Sequence, residues 1–310
     1  MSVLSKSYFH DEAAAYAKLE AIIWPEGPVC PHCGCMGRIY KMTANAEKRI
    51  RMGLHKCGDC RKQFTVKVGT VFESSHVKLN LWFQAVYLMA SSKKGISAHQ
   101  LHRTLGVTYK TAWFMAHRIR ETMTVMGMTP MGGEGETVEV DETFIGRVKG
   151  APKKRAYHHK MKVLTLVDRR GEARSVVIKN LQPKTIMPIL KANIAKETRI
   201  MTDEAGQYFH LSKDFAEHHF VRHGQGEYVR KGGIHTNTIE GFFSIFKRGM
   251  KGVYQHCGEQ HLHRYLAEFD FRYNARAALG VNDGQRADRA LSGIVGKRLT
   301  YRRAHEMRDA

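Results

Sequence analysis

Three features are missing from this chain of 310 residues: long apolar runs, a secretion signal and a dense set of cysteines. No run approaches the ~18 apolar residues that a membrane-spanning helix needs, and the most apolar stretch, residues 81–90, contains Gln84. Residues 1–20 show no basic segment followed by an apolar core, so we expect no secretory signal. Six cysteines are too few for a disulfide scaffold in so long a chain. We therefore predict a cytoplasmic protein without a membrane partner.

Acidic residues are scarce relative to basic ones: 29 Asp and Glu stand against 50 Lys and Arg, which gives a formal net charge of +21. A positive field of this size favours a polyanionic partner, and nucleic acid is the commonest one. Charge alone leaves two other classes open, a ribosome-associated factor and a protein that binds anionic membranes. The apolar fraction of 43% is ordinary for a globular protein, so a sizeable core is expected.

Four of the six cysteines form two C-x-x-C pairs, Cys30 with Cys33 and Cys57 with Cys60, separated by 23 residues. Each pair can sit on a tight turn and present two thiolates at ~2.3 Å from one tetrahedral zinc ion. Phe64, just after the second pair, is placed to cover the site. Four protein ligands leave no open coordination position, so the sequence predicts a structural Zn²⁺ site. The alternative, four buried or redox-active cysteines, is disfavoured by this spacing.

A helix, a glycine turn and a second helix are predicted between residues 97 and 122. Ser97 can cap the first helix, Gly106 can end it, and Thr108 can cap the second. This order is typical of a helix-turn-helix, although a plain packed helical hairpin is the alternative. In the helix-turn-helix interpretation the second helix offers two groups of DNA-binding residues: Tyr109, Lys110, Thr111 and Phe114 for base edges, and Arg118 and Arg120 for phosphates.

Two strand-like segments and a helix each deliver a carboxylate. Alternating side chains mark a strand on which Asp141 shares a face with Glu139, and a short apolar strand ends at Asp203. Glu240 lies near the start of a strong helix, with Lys247 two turns further along the same face. Phosphodiester transfer uses two divalent cations ~4 Å apart, which carboxylates from different elements can hold. We predict a site for Mg²⁺ or Mn²⁺, whereas any single Asp or Glu is more often simply solvated.

Changes in composition divide the chain into five predicted parts. They are an N-terminal helix with a zinc ribbon (residues 1–67), a helix-turn-helix region (68–124), a linker (125–136), an α/β catalytic domain (137–280) and a basic C-terminal tail (281–310).

The sequence resembles the bacterial insertion-sequence DDE transposases that carry an N-terminal zinc ribbon, the ISXO2-like family related to the Merlin group. The resemblance rests on five segments and, together with the zinc ribbon, covers almost the whole chain. They are VDETFIG at 140–146, TDE at 202–204, HTNTIEGFFSIFK at 235–247, RYN at 272–274 and GKRLTY at 296–301.

The resemblance implies an RNase H-like catalytic domain, a mixed sheet flanked by helices, that follows the zinc ribbon and the helix-turn-helix. Asp141 would be the first-strand ligand, Asp203 the fourth-strand ligand and Glu240 the helix ligand. Some relatives use Asn in the third position, and Asn237 lies one helical turn before Glu240; we favour Glu240. Lys247 is expected to hold a phosphate near the scissile bond.

The implied activity is that of a DNA transposase: cleavage at the element's ends, followed by attack of the new 3′-OH on target DNA. The expected partners are double-stranded DNA, as terminal inverted repeats and target, and further copies of the chain in a synaptic complex. No small-molecule substrate is expected, and the protein would be nucleoid-associated. Two alternatives remain: a DNA-binding regulator with an inactive catalytic domain, and a nuclease that cuts without joining.

Overall fold

The computed structural model of the chain describes residues 2–125, 127–152 and 157–300. Within them the backbone divides into two units, which we describe separately. The helical unit comprises residues 2–92, 96–123 and 282–300, and the sheet unit comprises residues 93–95 and 124–281.

The described α-helices are α1 (Glu12–Ile23), α2 (Leu79–Ser91), α3 (Ala98–Leu105), α4 (Tyr109–Thr122), α5 (Pro183–Asn193), α6 (Asn237–Gly249), α7 (Glu259–Asn274) and α8 (Asp283–Ser292). The strands are β1 (Ile39–Lys41), β2 (His55–Cys57), β3 (Gln63–Phe64), β4 (Thr137–Ile145), β5 (Met161–Asp168), β6 (Ala173–Ile178), β7 (Arg199–Thr202), β8 (Glu217–Phe220), β9 (Val229–Arg230) and β10 (Ile234–His235). None of the helices in this part of the chain combines the length and apolar character needed to cross a bilayer.

Helix α2 supplies much of the core of the helical unit because apolar side chains recur along one of its sides at three- and four-residue steps. Trp82, Val86 and Met89 are buried there, and the ring of Phe72 lies 4.9 Å from that of Trp82. Helix α8 packs on α2, where the buried Arg286 guanidinium donates to the Ala90 carbonyl at 3.1 Å.

Helix α8 corrects the prediction of a basic tail over residues 281–310. The helix forms because Asn282 and Gln285 make a reciprocal capping box at its start, and Ala290 and Leu291 bury its apolar face. Residues 301–310 lie outside the described part of the chain.

The predicted pair of helices between residues 97 and 122 is present. The Ser97 hydroxyl accepts from the Gln100 N–H at 3.1 Å and caps α3, and Gly106 ends that helix at φ 65°. The Thr108 hydroxyl accepts from the Thr111 N–H at 3.2 Å and caps α4. The three caps predicted from the sequence are therefore confirmed, while a DNA-binding role for the pair stays a prediction.

The sheet unit is built on a mixed five-stranded sheet in the order β6-β5-β4-β7-β8. Strands β6, β5 and β4 pair antiparallel, and β4, β7 and β8 pair parallel. Alternating residues of β4 face opposite layers: Val138 and Val140 pack with α5, and Ile145 packs with α6 and α7. A mixed sheet flanked by helices is the fold class predicted from the sequence, consistent with an RNase H-like domain.

Strand β6 forms one edge of this sheet, and helix α7 covers that edge with side chains. The Asn274 amide accepts from the Ala173 N–H at 2.7 Å and donates to the Ala173 carbonyl at 2.9 Å. The Asp270 carboxylate accepts from the Ser175 N–H at 2.8 Å and from the Ser175 hydroxyl at 2.7 Å. Three backbone groups at the start of this edge strand, which elsewhere invite a further strand, are thereby satisfied within the chain.

Candidate functional site

The four cysteines predicted as zinc ligands converge in the helical unit. The Sγ atoms of Cys30 and Cys60 lie 3.6 Å apart, as do those of Cys33 and Cys57, and all four lie within 4.8 Å of one another. A tetrahedral ion with Zn–S bonds of ~2.3 Å requires sulfur atoms about 3.8 Å apart. The spacing therefore fits one Zn²⁺ held by four thiolates, with no position left for a substrate.

The chain around the quartet is folded to hold it. The Gly34 N–H donates to the Cys30 carbonyl at 2.9 Å, which closes the first turn, and Gly34 adopts φ 77° there. Phe64 is fully buried against Cys30 and Cys57, as predicted, and the Trp24 ring meets it edge-on at 5.9 Å. This small apolar cluster buries Cys30 and Cys57, whereas Cys60 is partly buried and Cys33 is exposed.

The carboxylates predicted for catalysis lie in the sheet unit. Asp141 is on β4 and Asp203 directly follows β7, and the parallel register pairs Glu139 with Met201. Two residues further along both strands, the same register brings Asp141 and Asp203 side by side. Asp141 comes from the middle of β4, whereas Asp203 lies just beyond the carboxyl end of the parallel strand β7, an end where open α/β sheets commonly present reactive groups.

Burial and the neighbouring negative charge of Asp203 raise the pKa of Asp141 to about 8. The Glu142 carboxylate adds to the rise, whereas the Glu142 N–H, 2.6 Å from Asp141 Oδ1, and the Lys247 ammonium oppose it. Carboxylates held together at this cost are typical of a site that a divalent cation completes. The donor set is hard oxygen, which fits Mg²⁺ or Mn²⁺.

Glu142 belongs to the same acidic group, although no role for it was predicted from the sequence. Burial is the main cause that raises its pKa, and the charge of Asp203 contributes. The Tyr208 hydroxyl donates to Glu142 Oε1 at 2.5 Å and the Gln207 amide donates at 3.2 Å, which fixes the carboxylate. Its position directly after Asp141 could have indicated that Glu142 belongs to this group. Strand alternation, however, places Glu142 on the opposite face from Asp141.

Glu240 lies in the first turn of α6, and its side chain is 45% exposed. Its Oε1 accepts from the Thr236 hydroxyl at 3.2 Å and lies 3.3 Å from His223 Nε2. Within the described residues, the cysteine quartet is the one group of three or more His, Cys, Asp or Glu side chains spaced to share an ion. The structure thus pairs Asp141 with Asp203, and the assignment of Glu240 as the third ligand stays a prediction.

The other two predicted catalytic residues are exposed on α6. Asn237 is the first residue of the helix, and its backbone N–H donates to His235 Nδ1 at 3.3 Å. The Lys247 ammonium lies 5.7 Å from the centre of the Phe243 ring, and its charge lowers the pKa of Asp141. Its catalytic role stays a prediction.

A buried carboxylate, Glu139, ties α6 to the strand that carries Asp141. It is fully buried and accepts from the Thr238 hydroxyl at 2.8 Å and from the Ile239 N–H at 2.9 Å, both in the first turn of α6. The Arg169 guanidinium neutralises it through a 2.9 Å ion pair. An anionic acceptor at a helix N-terminus is also favoured by the helix dipole.

We expect Glu139→Gln to lower the free energy of unfolding of the sheet unit by about 3 kcal/mol, because Arg169 loses its buried partner. Urea denaturation followed by circular dichroism measures the change. Glu217→Gln is the control: its carboxylate is 47% exposed and pairs with Arg199, so the cost should stay under about 1 kcal/mol. Equal costs for the two variants would show that Glu139 does not anchor the helix.

The residues predicted to contact DNA from α4 separate into two sets. Tyr109 is 44% exposed and its ring stacks on that of His99 at 4.3 Å, Lys110 is exposed, and Thr111 is partly buried. Arg118 and Arg120 are buried, at 6% and 2% exposure. The phosphate contacts predicted for these two arginines are corrected by the structure.

The buried guanidinium of Arg118 is held by backbone carbonyls. Its Nη1 donates to the backbone carbonyls of Val71 at 2.8 Å and of Glu73 at 3.0 Å, so the guanidinium holds the preceding loop. The aliphatic stem of an arginine packs readily in a core while its head finds carbonyl acceptors. Spacing along α4 could not reveal this, because the acceptors lie far away in sequence.

The structure thus combines a mixed α/β domain that brings two carboxylates together with a separate four-cysteine ribbon. Two family models match the chain: an ISXO2-like transposase domain over residues 133–274 and a transposase zinc-ribbon domain over residues 10–63. The chain therefore carries both domains of this transposase family, and the resemblance noted in the sequence is confirmed.

The chain is also similar to a protein of Halobacterium salinarum described as an uncharacterized protein in transposable element ISH50. The two are 29% identical over 287 residues, which is 85% of this chain and 91% of the relative.

Proposed function

We propose that this chain is a DNA transposase that cleaves the ends of its element and joins the freed 3′-OH to target DNA. The observation that carries the proposal is the proximity of Asp141, in the middle of β4, to Asp203, just after the neighbouring strand β7, with the pKa of Asp141 raised to about 8. Two neighbouring carboxylates that oppose each other's ionisation do not stabilise a sheet. Phosphodiester chemistry uses such a pair to hold divalent cations.

Asp141 and Asp203 would hold Mg²⁺ or Mn²⁺, with Glu240 as the third ligand. Such ions, when bound, activate the attacking oxygen and stabilise charge on the leaving oxygen. Glu142, fixed by Tyr208 and Gln207, keeps the local potential negative and so favours a cation beside Asp141.

The remaining residues of the site position the DNA. The Lys247 ammonium, close to Asp141, binds a phosphate oxygen next to the scissile bond and orients the phosphodiester. Glu139 and Arg169 fix the first turn of α6, so that Asn237 and Glu240 present their side chains from a rigid helix end. Fixed groups of this kind lower the barrier because they need no reorganisation during the reaction.

The zinc ribbon and the helix pair α3–α4 would recognise the terminal inverted repeats. Exposed Tyr109 and Lys110 at the start of α4 are placed as the first turn of a recognition helix is in helix-turn-helix proteins. Two such modules favour a defined end sequence over general DNA cutting. A DNA-bound pair of chains, one on each element end, follows from the two-ended substrate.

Cleavage and joining of a labelled oligonucleotide that carries the element's end tests the proposal. With Mg²⁺ or Mn²⁺, we expect joined products from the wild type and a loss of roughly a hundredfold or more in Glu240→Gln, because a metal ligand is removed. Asn237→Ala should lose far less, and binding of the oligonucleotide should persist in both.

The other outcomes distinguish the alternatives. Cleaved but unjoined products would identify a nuclease, and DNA binding without chemistry in either metal would identify a regulator. Activity that survives Glu240→Gln and disappears in Asn237→Ala would assign the third position to Asn237.

A further inference from the structure

A short basic and aromatic hairpin precedes α6 in the sheet unit. Strands β9 and β10 pair antiparallel, with Ile234 opposite Arg230. The turn between them passes through Gly232 and Gly233, at φ 84° and 71°, a left-handed conformation that glycine adopts without strain. We call residues 228–235 the β9–β10 hairpin.

The hairpin is anchored through its turn and its second strand. Arg169 donates to the Gly233 carbonyl at 2.8 Å and to the His235 carbonyl at 3.0 Å. The same guanidinium is paired with buried Glu139, two residues before Asp141 on β4. One arginine therefore fixes the hairpin to the strand that carries the first catalytic carboxylate.

Tyr228, at the start of the hairpin, is 58% exposed. Its ring centre lies 5.3 Å from that of His223, and His223 Nε2 lies 3.3 Å from Glu240 Oε1. A single imidazole thus separates the exposed tyrosine ring from the proposed third metal ligand. Val229 beside it is also 58% exposed, and Arg230 and Lys231 follow on the surface.

Scattered exposed apolar residues are ordinary on protein surfaces, so the exposure of Tyr228 alone does not indicate a binding site. Here the ring stands next to a proposed reacting phosphodiester, on an anchored hairpin with exposed cationic side chains. Aromatic rings beside a cationic surface are what proteins use to bind unpaired nucleotides, because every base offers a face for stacking.

We propose that Tyr228 stacks on an unpaired base next to the scissile phosphate, and so stabilises a locally opened DNA end. This inference rests on the proposed transposase function. It adds that the substrate DNA is locally unpaired next to the scissile phosphate. Opening a base pair costs a few kcal/mol, and a stack on an aromatic side chain offsets much of that cost. Lys231 would bind a phosphate that flanks the opened nucleotide, whereas the Arg230 guanidinium donates to the Phe220 carbonyl at 3.2 Å and pairs with Glu227 at 3.4 Å.

Two duplexes of the same element-end sequence test the contact, one fully paired and one forked by two mismatched bases at the cleavage position. Affinities are measured by fluorescence anisotropy without added Mg²⁺, so that no reaction is needed. The wild type should bind the forked duplex more tightly than the paired one. Tyr228→Ala should weaken forked-duplex binding about tenfold and paired-duplex binding less than about twofold.

Matched variants identify the source of any loss. Tyr228→Phe keeps the ring and should retain the wild-type ratio of the two affinities. Phe209→Ala removes another exposed ring, 62% exposed, from the segment next to Tyr208, and should also retain that ratio. An unchanged ratio in Tyr228→Ala, no forked preference in the wild type, or an equal loss in Phe209→Ala would overturn the proposal.

Addition of Mg²⁺ to the same complexes tests the stacking contact and the transposase function separately. A wild type that cleaves neither duplex, yet keeps a Tyr228-dependent forked preference, would overturn the transposase proposal and support the stacking contact. Cleavage of both duplexes at wild-type rates by Tyr228→Ala, with an unchanged affinity ratio, would support the transposase proposal and overturn the stacking contact.

Discussion

Asp141→Asn is expected to abolish DNA cleavage and, at the same time, to raise the melting temperature of the protein above neutral pH. Activity is lost because the amide cannot replace a carboxylate as a ligand for a hard cation. Stability rises because the variant removes a buried charge that burial and Asp203 both oppose.

The stability of the wild-type protein should depend on pH, because the pKa of Asp141 differs between the folded and unfolded states. The pKa of Asp141 is about 8 in the folded protein and near its ordinary value of 3.8 in the unfolded chain. The folded state therefore binds more protons between about pH 4 and pH 8, and the stability of the wild type falls as pH rises through that range. Asp141→Asn should flatten this fall, so the two proteins differ little at pH 4 and most near pH 8.

Thermal denaturation at several pH values, without divalent cations, measures the difference. Asp214→Asn is the control, because it removes the same charge from a partly exposed carboxylate that pairs with Lys191 at 2.8 Å. That variant should not gain stability at pH 8. Mg²⁺ should stabilise the wild type more at pH 8 than at pH 6, since the cation needs ionised ligands. A lower melting temperature for Asp141→Asn at pH 8 would contradict the raised pKa.

Cys57→Ser should have the second large effect, loss of the bound zinc and unfolding of the ribbon. A four-thiolate site contributes on the order of 10 kcal/mol or more to the folding of such a segment. The three ribbon strands are only two or three residues long, so little else can hold them.

Zinc content by atomic absorption and hydrogen exchange over residues 28–66 report the outcome. Cys35→Ser is the matched control, since Cys35 lies in the same ribbon but outside the quartet. It should keep about one zinc per chain and wild-type protection, whereas Cys57→Ser should keep neither. Zinc retained in Cys57→Ser, or lost in Cys35→Ser, would show that the ligand set is wrong.

Local chemistry explains which parts of the fold could be predicted. The cysteine quartet, the caps at Ser97 and Thr108 and the turn at Gly106 depend on residues close in sequence, and all are present. The strand-end position of Asp203 followed from a short apolar segment in the same way.

Features that depend on distant partners could not be predicted. Arg118 and Arg286 have basic side chains that suggested a surface, yet each is buried because a backbone carbonyl far along the chain accepts from it. Glu139 shares the face of Asp141, but its role depends on the first turn of α6, about a hundred residues later. Spacing indicates which face a side chain occupies and not which element covers it.

The covered edge at β6 restricts which surfaces another chain can use in the proposed synaptic complex. Asn274 already satisfies the N–H and the carbonyl of Ala173, and Asp270 satisfies the N–H of Ser175. A second chain cannot extend the sheet at β6 without displacing helix α7, and with it the core that α7 shares with α6. In the synaptic complex proposed above, contacts between chains are therefore expected on surfaces other than the β6 edge.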